Sequence, residues 1–255
     1  NRLFIDRHSK ESGLSTCPVM SAKVPNLRRY RDSKLYQSVL SLLREDEVDE
    51  GLVPAAVWES FTQYIHLLGK KSYFDYTAMI QLAVELLESE DDPVAEMIRN
   101  HVHGDLRYLV VDEYQDVNPL QERLIRALTT HGANVCVVGD DDQTIYQWRG
   151  SDVGNILTFA DRYPDVEKVF LSDNFRSSRG VVDLGRTVAE SLPFGARLPK
   201  AMTASGHQEW ERGDLLALSF DTPADEAVWM CDRMVDLRGV PFVDGDDQVD
   251  GRCLQ

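Results

Sequence analysis

The sequence lacks several features that define whole classes of protein. It has no apolar run that approaches the ~18 residues of a membrane-spanning helix, so we expect no contact with a membrane. Its four cysteines (Cys17, Cys136, Cys231 and Cys253) are far apart and form no C-x-x-C pair, which favours a reduced, cytoplasmic protein. The segment Asn1–Thr16 is polar and does not begin with methionine. We therefore expect no signal peptide, and we expect the chain to be a fragment of a longer protein.

Positive charge is also scarce. The 255 residues carry 27 Lys and Arg against 43 Asp and Glu, a formal net charge of −16. The acidic residues comprise 27 Asp and 16 Glu, while only 7 of the basic residues are Lys. This pattern resembles proteins of salt-loaded cytoplasms, and an ordinary acidic protein is the alternative. The charge argues against a simple basic nucleic-acid binder, because neutralising phosphates requires a positive surface.

The first hundred residues have the apolar spacing of helices. That spacing predicts helices over Leu35–Leu43, from Trp58 to Leu68 and from Met79 to Leu87, with the acidic run Glu45–Glu50 as an exposed turn. A short basic cluster surrounds Tyr30, either as a solvated face or as a nucleic-acid contact. Its members are Lys23, Arg28, Arg29, Arg31 and Lys34. With no cysteine nearby, His101 and His103 are predicted to be loop histidines rather than zinc ligands.

The pattern changes after Arg107 to short, continuous apolar runs. Such runs over Tyr108–Val111, Ala133–Val138 and Val169–Leu171 predict strands buried on both faces of a parallel sheet. Between the first two, Asn118, Pro119 and Gln121 form the start signal of a crossover helix, so the fold class is α/β.

The region after the third strand repeats these signals. A further strand is predicted over Leu215–Phe220. Thr222 and Pro223 then start a helix, with Asp225 and Glu226 in its first turn, that stops at Gly239.

Polar residues follow the first strand directly, as Asp112 and Glu113. In parallel sheets, functional groups gather at the carboxyl ends of the strands. An apolar strand that delivers two carboxylates is typical of a Walker B element. Asp112 would hold Mg²⁺, and Glu113 would activate the water that attacks a γ-phosphate.

The second strand is followed by the residues that most directly suggest nucleic-acid contact. Gln143 can hydrogen-bond a phosphate or its attacking water. Tyr146 and Trp148 can stack on unpaired bases, with Arg149 beside them, and packing in a core is the alternative. The third strand ends near Arg176, which is either an arginine finger or a partner in a structural salt bridge.

Taken in order, these blocks resemble motifs II, III and IV of the UvrD/Rep family of superfamily 1 DNA helicases. The blocks are D-E-Y-Q-D at 112–116, V-G-D-D-D-Q-T-I-Y-Q-W-R-G at 138–150 and N-F-R-S-S at 174–178. The resemblance implies a RecA-like, P-loop NTPase-type parallel sheet with a helical insertion, incomplete at both ends. It also implies ATP and Mg²⁺ as cofactors, and single-stranded DNA and a duplex junction as partners. Tyr114 and Phe175 swap the usual aromatic types of the family.

The resemblance also implies a role for each site residue and a set of domain boundaries. Asp112 would be the Mg²⁺ ligand and Glu113 the catalytic base. Gln143 would sense the γ-phosphate, Arg176 would be the arginine finger, and Tyr146, Trp148 and Arg149 would contact DNA. Residues 1–106 would form the helical 1B insertion and its return to domain 1A. Residues 107–168 would complete domain 1A, and 169–255 would begin domain 2A.

A P-loop, with the pattern G-x-x-x-x-G-K-[ST], is absent from these 255 residues. Gly69-Lys70-Lys71 does not qualify, because Lys71 replaces Ser or Thr and the preceding pattern is helical. Motifs V and VI are absent as well. We therefore expect a parent protein that is an ATP-dependent 3′→5′ helicase and an isolated chain that is inactive. The alternatives are a non-catalytic module that binds DNA or protein, and the helicase subunit of a helicase–nuclease.

Overall fold

The computed structural model describes residues 2–17, 27–144, 154–163, 165–192, 197–206, 215–239, 241–242 and 251–252. The chain divides into two compact units, Asn1–Asp165 and Val166–Gln255. No helix in the described ranges is both long enough and apolar enough to cross a membrane.

The described residues of the first part of unit 1 form five helices. They are α1 (Arg2–Arg7), α2 (Leu27–Glu45), α3 (Ala55–Lys71), α4 (Tyr76–Glu88) and α5 (Pro93–Asp105). The three helices predicted from apolar spacing are confirmed as parts of α2, α3 and α4. Gly69 and Lys70 lie in the last turn of α3, as expected for a segment that is not a P-loop.

The prediction that His101 and His103 lie in a loop is wrong, because both belong to α5. Asp92 caps this helix by accepting the N–H of Val94, and Pro93 occupies its first turn. The pair Asp92-Pro93 in the sequence is a signal for the start of a helix. The His103 ring packs on that of His131, with 4.2 Å between ring centroids.

The helices of unit 1 enclose an apolar core around Tyr36 and Tyr64. The other buried members of that core are Ile5, Leu14, Cys17, Leu40, Leu43, Val57 and Leu68. The Tyr36 hydroxyl lies 2.7 Å from the carbonyl oxygen of Ser12 and 2.8 Å from that of Ser60. Gly13 sits in this contact with φ +78°, a conformation that strongly favours glycine. The Tyr36 hydroxyl thus links the Ser12 turn, α2 and α3.

A charged pair also lies inside the helical part. Arg44, 3% exposed, donates from Nη1 to both carboxylate oxygens of Asp75, 6% exposed, at 2.8 Å each. Tyr64 donates to Asp75 Oδ2 at 2.7 Å, and Asp75 Oδ1 accepts the N–H of Ala78 to cap α4. Gln81 accepts two further hydrogen bonds from Arg44. This network links α2, α3 and α4 through one carboxylate.

The remainder of unit 1 contains a two-stranded parallel sheet. Strands β1 (Tyr108–Val111) and β2 (Asn134–Val137) pair in the register Leu109↔Val135. The crossover helix α6 (Pro119–Thr129) joins them and begins with the predicted capping box of Asn118 and Gln121, which is confirmed. Two short helices, α7 (Gly154–Leu157) and α8 (Phe159–Arg162), follow.

Only one face of this sheet is covered by the described residues. Leu109, Val111, Val135 and Val137 pack against a cluster that contains Tyr114, Val117, Ile125, Ile156 and Phe159. On the other face, Tyr108 is 75% exposed and Val110 is 67% exposed. The prediction of strands buried on both faces is therefore wrong for the part of the chain described, because no described element packs on the second face.

The described residues of unit 2 contain less regular structure. Strand β3 (Asp173–Asn174) pairs in parallel with β4 (Thr203–Ala204), and helix α9 (Arg179–Glu190) lies between them in the chain. Helix α10 (Pro223–Asp236) starts at Thr222, as predicted. A short antiparallel pair, β5 (Pro241–Phe242) with β6 (Gly251–Arg252), completes the unit.

Two predicted strands of unit 2 are wrong. Val169–Leu171 is irregular and exposed, and the strand lies two residues beyond it at Asp173–Asn174. The segment 215–220 is also irregular. An apolar run becomes a strand only when a second segment pairs with its backbone, and no described segment pairs with either run.

Candidate functional site

The site is built on the ends of β1 and β2. Asp112 and Glu113 directly follow β1, and both side chains are exposed. The backbone of Glu113 has φ 50° and ψ 41°, the left-handed region that non-glycine residues rarely adopt. Asp112 Oδ1 accepts the N–H of Glu113 at 2.9 Å and so stabilises this turn. Backbone strain of this kind concentrates at functional sites.

The turn that follows brings a buried side chain back under Glu113. Gln115 is 1% exposed, and its Nε2 donates to Glu113 Oε2 at 2.6 Å. Its Oε1 accepts the N–H of Asp140, which follows β2, at 3.0 Å. The N–H of Tyr114 also donates to the carbonyl of Val138 at 2.9 Å. These contacts join the ends of the two strands through Gln115 and Asp140, which are 25 residues apart in the sequence.

The loop after β2 places Gln143 at this same edge of the sheet. Asp140 caps a 3₁₀ turn over Asp141–Gln143 by accepting the N–H of Asp142 at 3.2 Å. The Gln143 side chain is exposed, and its Nε2 donates to Asp140 Oδ2 at 2.7 Å. Asp112, Glu113 and Gln143 therefore lie at the carboxyl ends of neighbouring parallel strands, as predicted from the sequence.

The close packing between the two strand ends requires a glycine at position 139. A Cβ atom at position 139 would lie 2.7 Å from Gln115 Oε1, 2.9 Å from Ile156 Cδ1 and 3.2 Å from the backbone nitrogen of Tyr114. Any larger residue would displace the Gln115 amide or the backbone of the Tyr114 turn. The sequence showed the glycine, but only the structure shows what it accommodates.

A second polar network connects the Tyr114 turn to α6 and to residues 162 and 163. Fully buried Tyr114 donates its hydroxyl hydrogen to Glu122 of α6, and Arg162 Nε lies 3.4 Å from Glu122 Oε1. Tyr163 also donates to Glu122 Oε1, at 3.2 Å. Burial raises the pKa of Tyr163 to about 12, assisted by the Glu122 charge and hydrogen bond. Burial likewise raises the pKa of Tyr114, so both hydroxyls stay protonated and act as donors.

The sequence reasoning assigned no role to Gln115, Glu122, Arg162 or Tyr163. A usable signal was present for Gln115, because a glutamine two residues after a strand-end carboxylate carries both a donor and an acceptor. The other three depend on contacts across α6 and α8, which no local pattern reveals.

The charge around Glu113 is strongly negative. Asp112 and Asp116 lie in the same turn, and Asp140 faces it from the end of β2. Desolvation, followed by the charge of Glu113, raises the pKa of Asp116 above its ordinary value. Such a concentration of carboxylates favours binding of a cation.

The donor set fits a magnesium ion that is shared with a phosphate ligand. Asp112 uses one carboxylate oxygen for the N–H of Glu113, and the other has no hydrogen-bond partner in the described ranges. No group of three or more His, Cys, Asp or Glu that could enclose a metal occurs among the described residues. Mg²⁺ is commonly held by one or two carboxylates together with substrate phosphates and water. Asp112 therefore suits an open site and not a closed one.

Arg176 belongs to unit 2 and lies two residues after β3. The side chain of Asn174 accepts the N–H groups of Arg176 and Ser177 at 3.0 and 2.8 Å, which shapes the turn that carries the arginine. The guanidinium is exposed and forms no ion pair within the described part of the chain. The structural salt bridge that the sequence left open therefore has no partner there.

The predicted DNA-contacting residues Tyr146, Trp148 and Arg149 lie outside the described residues. Of the basic cluster near the amino terminus, Arg31 and Lys34 are exposed on α2. Tyr30 is exposed too, and the guanidinium of Arg2 lies 3.9 Å from its ring centroid.

Comparison with known proteins gives a consistent result. The family model described as the UvrD/REP helicase N-terminal domain matches residues 26–164. The ATP-dependent DNA helicase PcrA of Leuconostoc citreum is 33% identical over 184 residues, which is 71% of this chain and 23% of that protein. The PcrA helicase of Staphylococcus aureus is 35% identical over 142 residues, 56% of this chain and 18% of the relative. The PcrA helicase of Staphylococcus epidermidis is 34% identical over 125 residues, which is 49% of this chain and 16% of that protein. The chain thus spans less than a quarter of the length of these relatives.

Proposed function

The chain belongs to the UvrD/Rep helicase family, and from this premise we propose that it is the central part of an ATP-driven 3′→5′ DNA helicase or translocase. One observation carries the proposal: the side chain of Gln115 joins the Asp112–Glu113 turn to the loop of Gln143 at one edge of a parallel sheet. That edge is where parallel α/β sheets bind ligands. The proposed reaction is the attack of water on the γ-phosphate of ATP, which yields ADP and phosphate.

Each residue of the turn has a defined part in this proposal. Asp112 would hold Mg²⁺, which when bound neutralises charge on the phosphates. Glu113 accepts a proton from the attacking water, because its carboxylate is exposed and open to solvent beside the strand end. Gln143, on the neighbouring strand end, offers a side-chain amide to the γ-phosphate or to that water. Arg176 would act as the arginine finger, a role that rests on the sequence resemblance alone.

The proposed architecture is RecA-like, with a helical insertion. Residues 1–106 would form the 1B-type insertion and its return, 107–168 the end of domain 1A, and 169–255 the start of domain 2A. The division of the chain between Asp165 and Val166 supports the second boundary, and the parallel pair β1–β2 with its crossover helix supports the architecture.

We propose that single-stranded DNA and a duplex junction are the partners, and that the protein acts in the cytoplasm. Tyr146 and Trp148 would stack on unpaired bases at about 1–3 kcal/mol per base, with Arg149 beside them. Stacking of aromatic side chains on bases does not require a positive net charge. The formal net charge of −16 therefore does not contradict such a contact.

The isolated chain is proposed to be inactive as an ATPase. No G-x-x-x-x-G-K-[ST] segment occurs in its 255 residues, so they contain no P-loop to cradle the β- and γ-phosphates. The same absence favours a second candidate, a non-catalytic helicase module that binds DNA or protein partners without turnover.

The two candidate functions can be distinguished in the protein encoded by the complete reading frame that contains this chain. We expect it to hydrolyse ATP with Mg²⁺ and an oligo-dT stimulator, and we expect Glu113→Gln to lower kcat by about 10²–10⁴-fold. Glu96→Gln is the matched control, because Glu96 is exposed on α5 and should leave kcat unchanged.

Three outcomes would decide the matter. Hydrolysis that survives Glu113→Gln would refute the assigned base. Binding of oligo-dT without any hydrolysis by the complete protein would favour the non-catalytic module. DNA-stimulated hydrolysis by purified Asn1–Gln255 alone would show that the expectation of an inactive chain is wrong.

A further inference from the structure

Gln115 occupies a position between the two strand ends that no assigned role explains. We propose that Gln115 is the positioning residue of the site: it orients the Glu113 carboxylate and couples it to the loop that carries Gln143. The role in hydrolysis rests on the function proposed above, whereas the contact itself does not. The observations are the burial of Gln115, its 2.6 Å hydrogen bond to Glu113 Oε2 and its 3.0 Å hydrogen bond from the N–H of Asp140.

The chemistry of an amide suits this position. The Glu113 carboxylate only accepts hydrogen bonds, and the Asp140 N–H only donates one. A glutamine side chain donates from Nε2 and accepts at Oε1, so it satisfies both groups at once. A carboxylate at position 115 would face that of Glu113 as a like charge, and an aliphatic side chain would leave the Asp140 N–H without its partner.

The hydrogen bonds extend beyond Asp140. Asp140 Oδ2 accepts from Nε2 of Gln143 at 2.7 Å, so three consecutive contacts link Glu113, Gln115, Asp140 and Gln143. The group proposed to accept a proton and the group proposed to touch the γ-phosphate are therefore held by one continuous network. The Gln115 amide therefore fixes the geometry of one loop relative to the other.

The surroundings restrict Gln115 to this orientation. The absent Cβ of Gly139 leaves the space that Gln115 Oε1 occupies, and the backbone of neighbouring Tyr114 is tied to the carbonyl of Val138. Gly139→Ala would place a methyl group 2.7 Å from that oxygen and displace the amide without changing any functional group of the network. It therefore provides a second route to the same disruption.

The contact is tested in the 255-residue chain, where no ATP hydrolysis is needed. Urea midpoints are measured at about pH 7 for the wild type, Gln115→Glu, Glu113→Gln and the double variant. In Gln115→Glu two carboxylates face each other in place of a hydrogen bond, so we expect its midpoint to fall below that of the wild type. The other carboxylates near Glu113, those of Asp112, Asp116 and Asp140, are common to all four proteins and cancel in the comparison.

The double variant decides between a specific contact and simple packing. An amide at position 113 can donate to a carboxylate at position 115, so adding Glu113→Gln to Gln115→Glu should recover much of the lost stability. A loss of equal size in both backgrounds would overturn the contact. If Gln115→Glu does not fold, Gly139→Ala is measured with and without Glu113→Gln. A coupling between these two substitutions is then expected, and strict additivity would overturn the proposal.

The positioning role is tested in the protein of the complete reading frame. Loss of an outer-shell partner commonly lowers activity about 10–100-fold, so we expect Gln115→Leu to lower kcat by that factor with KM for ATP nearly unchanged. An unchanged kcat would show that Gln115 is only structural. Activity that survives Glu113→Gln would instead refute the proposed function and leave the result on the contact standing.

Discussion

Replacing Asp75 by alanine is expected to destabilise the first unit by about 3–5 kcal/mol, the cost of leaving one partner of a buried ion pair unpaired. Arg44 and Asp75 are almost fully buried, so water cannot take the place of the lost carboxylate. The guanidinium would keep only its hydrogen bonds to Gln81.

The lost contacts explain why the effect should lie in the upper part of that range. Asp75 accepts two hydrogen bonds from Arg44, one from Tyr64 and one from the N–H of Ala78. The last of these caps α4, and loss of a cap costs about 1 kcal/mol by itself. The Tyr64 hydroxyl would also be left buried without an acceptor.

The same pair sets a pH dependence. Burial by itself raises the pKa of Asp75, but hydrogen bonds from Tyr64 and Ala78 and the charge of Arg44 outweigh it and hold the pKa below the usual range. A carboxyl whose pKa is depressed on folding stabilises the protein above its unfolded pKa, and this contribution is lost as pH falls through the folded value. Wild type should therefore lose stability below about pH 4, the unfolded pKa of an aspartate. Asp75→Ala should lose less stability over the same pH range, because it lacks this carboxyl group.

The assay is urea unfolding followed by circular dichroism at about pH 7 and pH 3. Glu88→Ala is the control, because Glu88 pairs with Arg123 on the surface and should cost less than about 1 kcal/mol. The double variant Arg44→Met with Asp75→Leu removes both charges and should recover much of the loss. A cost for Asp75→Ala no larger than that of Glu88→Ala would refute the reasoning.

Three further substitutions test the local geometry by the same unfolding assay. Glu113→Gly should be about 1 kcal/mol more stable than Glu113→Ala, because both variants lose the carboxylate that accepts from Gln115 and only glycine adopts the left-handed conformation at φ 50° without strain. Equal stabilities of the two variants would contradict this account of the turn. Asn118→Ala should cost about 1 kcal/mol through loss of the capping box of α6, and Thr130→Ala, in the exposed last turn, is its comparison. Gly13→Ala should cost at least about 2 kcal/mol, because its Cβ would lie 2.4 Å from the Ser60 carbonyl oxygen. A neutral effect there would mean that the Ser12 turn can shift freely.

Local signals in the sequence were sufficient for many elements of the fold. Apolar spacing located α2, α3 and α4, since the stripe that packs inward recurs with the helical period. The capping residues Asn118 and Thr222 identified the starts of α6 and α10, because a cap and the N–H it binds lie within three residues. The strand-end carboxylates Asp112 and Glu113 were recognisable for the same reason.

Contacts between distant segments could not be read in this way. Strand pairing depends on a partner elsewhere in the chain, which is why Val169–Leu171 has the composition of a strand and the conformation of a loop. Burial of Arg44 against Asp75 joins residues 31 positions apart, and nothing in either neighbourhood indicates it.

The candidate site illustrates the difference between what local sequence signals indicate and what long-range contacts decide. The sequence alone determined which chemical groups stand at the two strand ends and to which family their order belongs, because those groups are adjacent in the chain. Only the tertiary structure decided that Gln115 joins the two ends and that Gly139 provides the space for its amide. The physical reason is that a hydrogen bond between segments 25 residues apart exists only once β1, α6 and β2 have packed together.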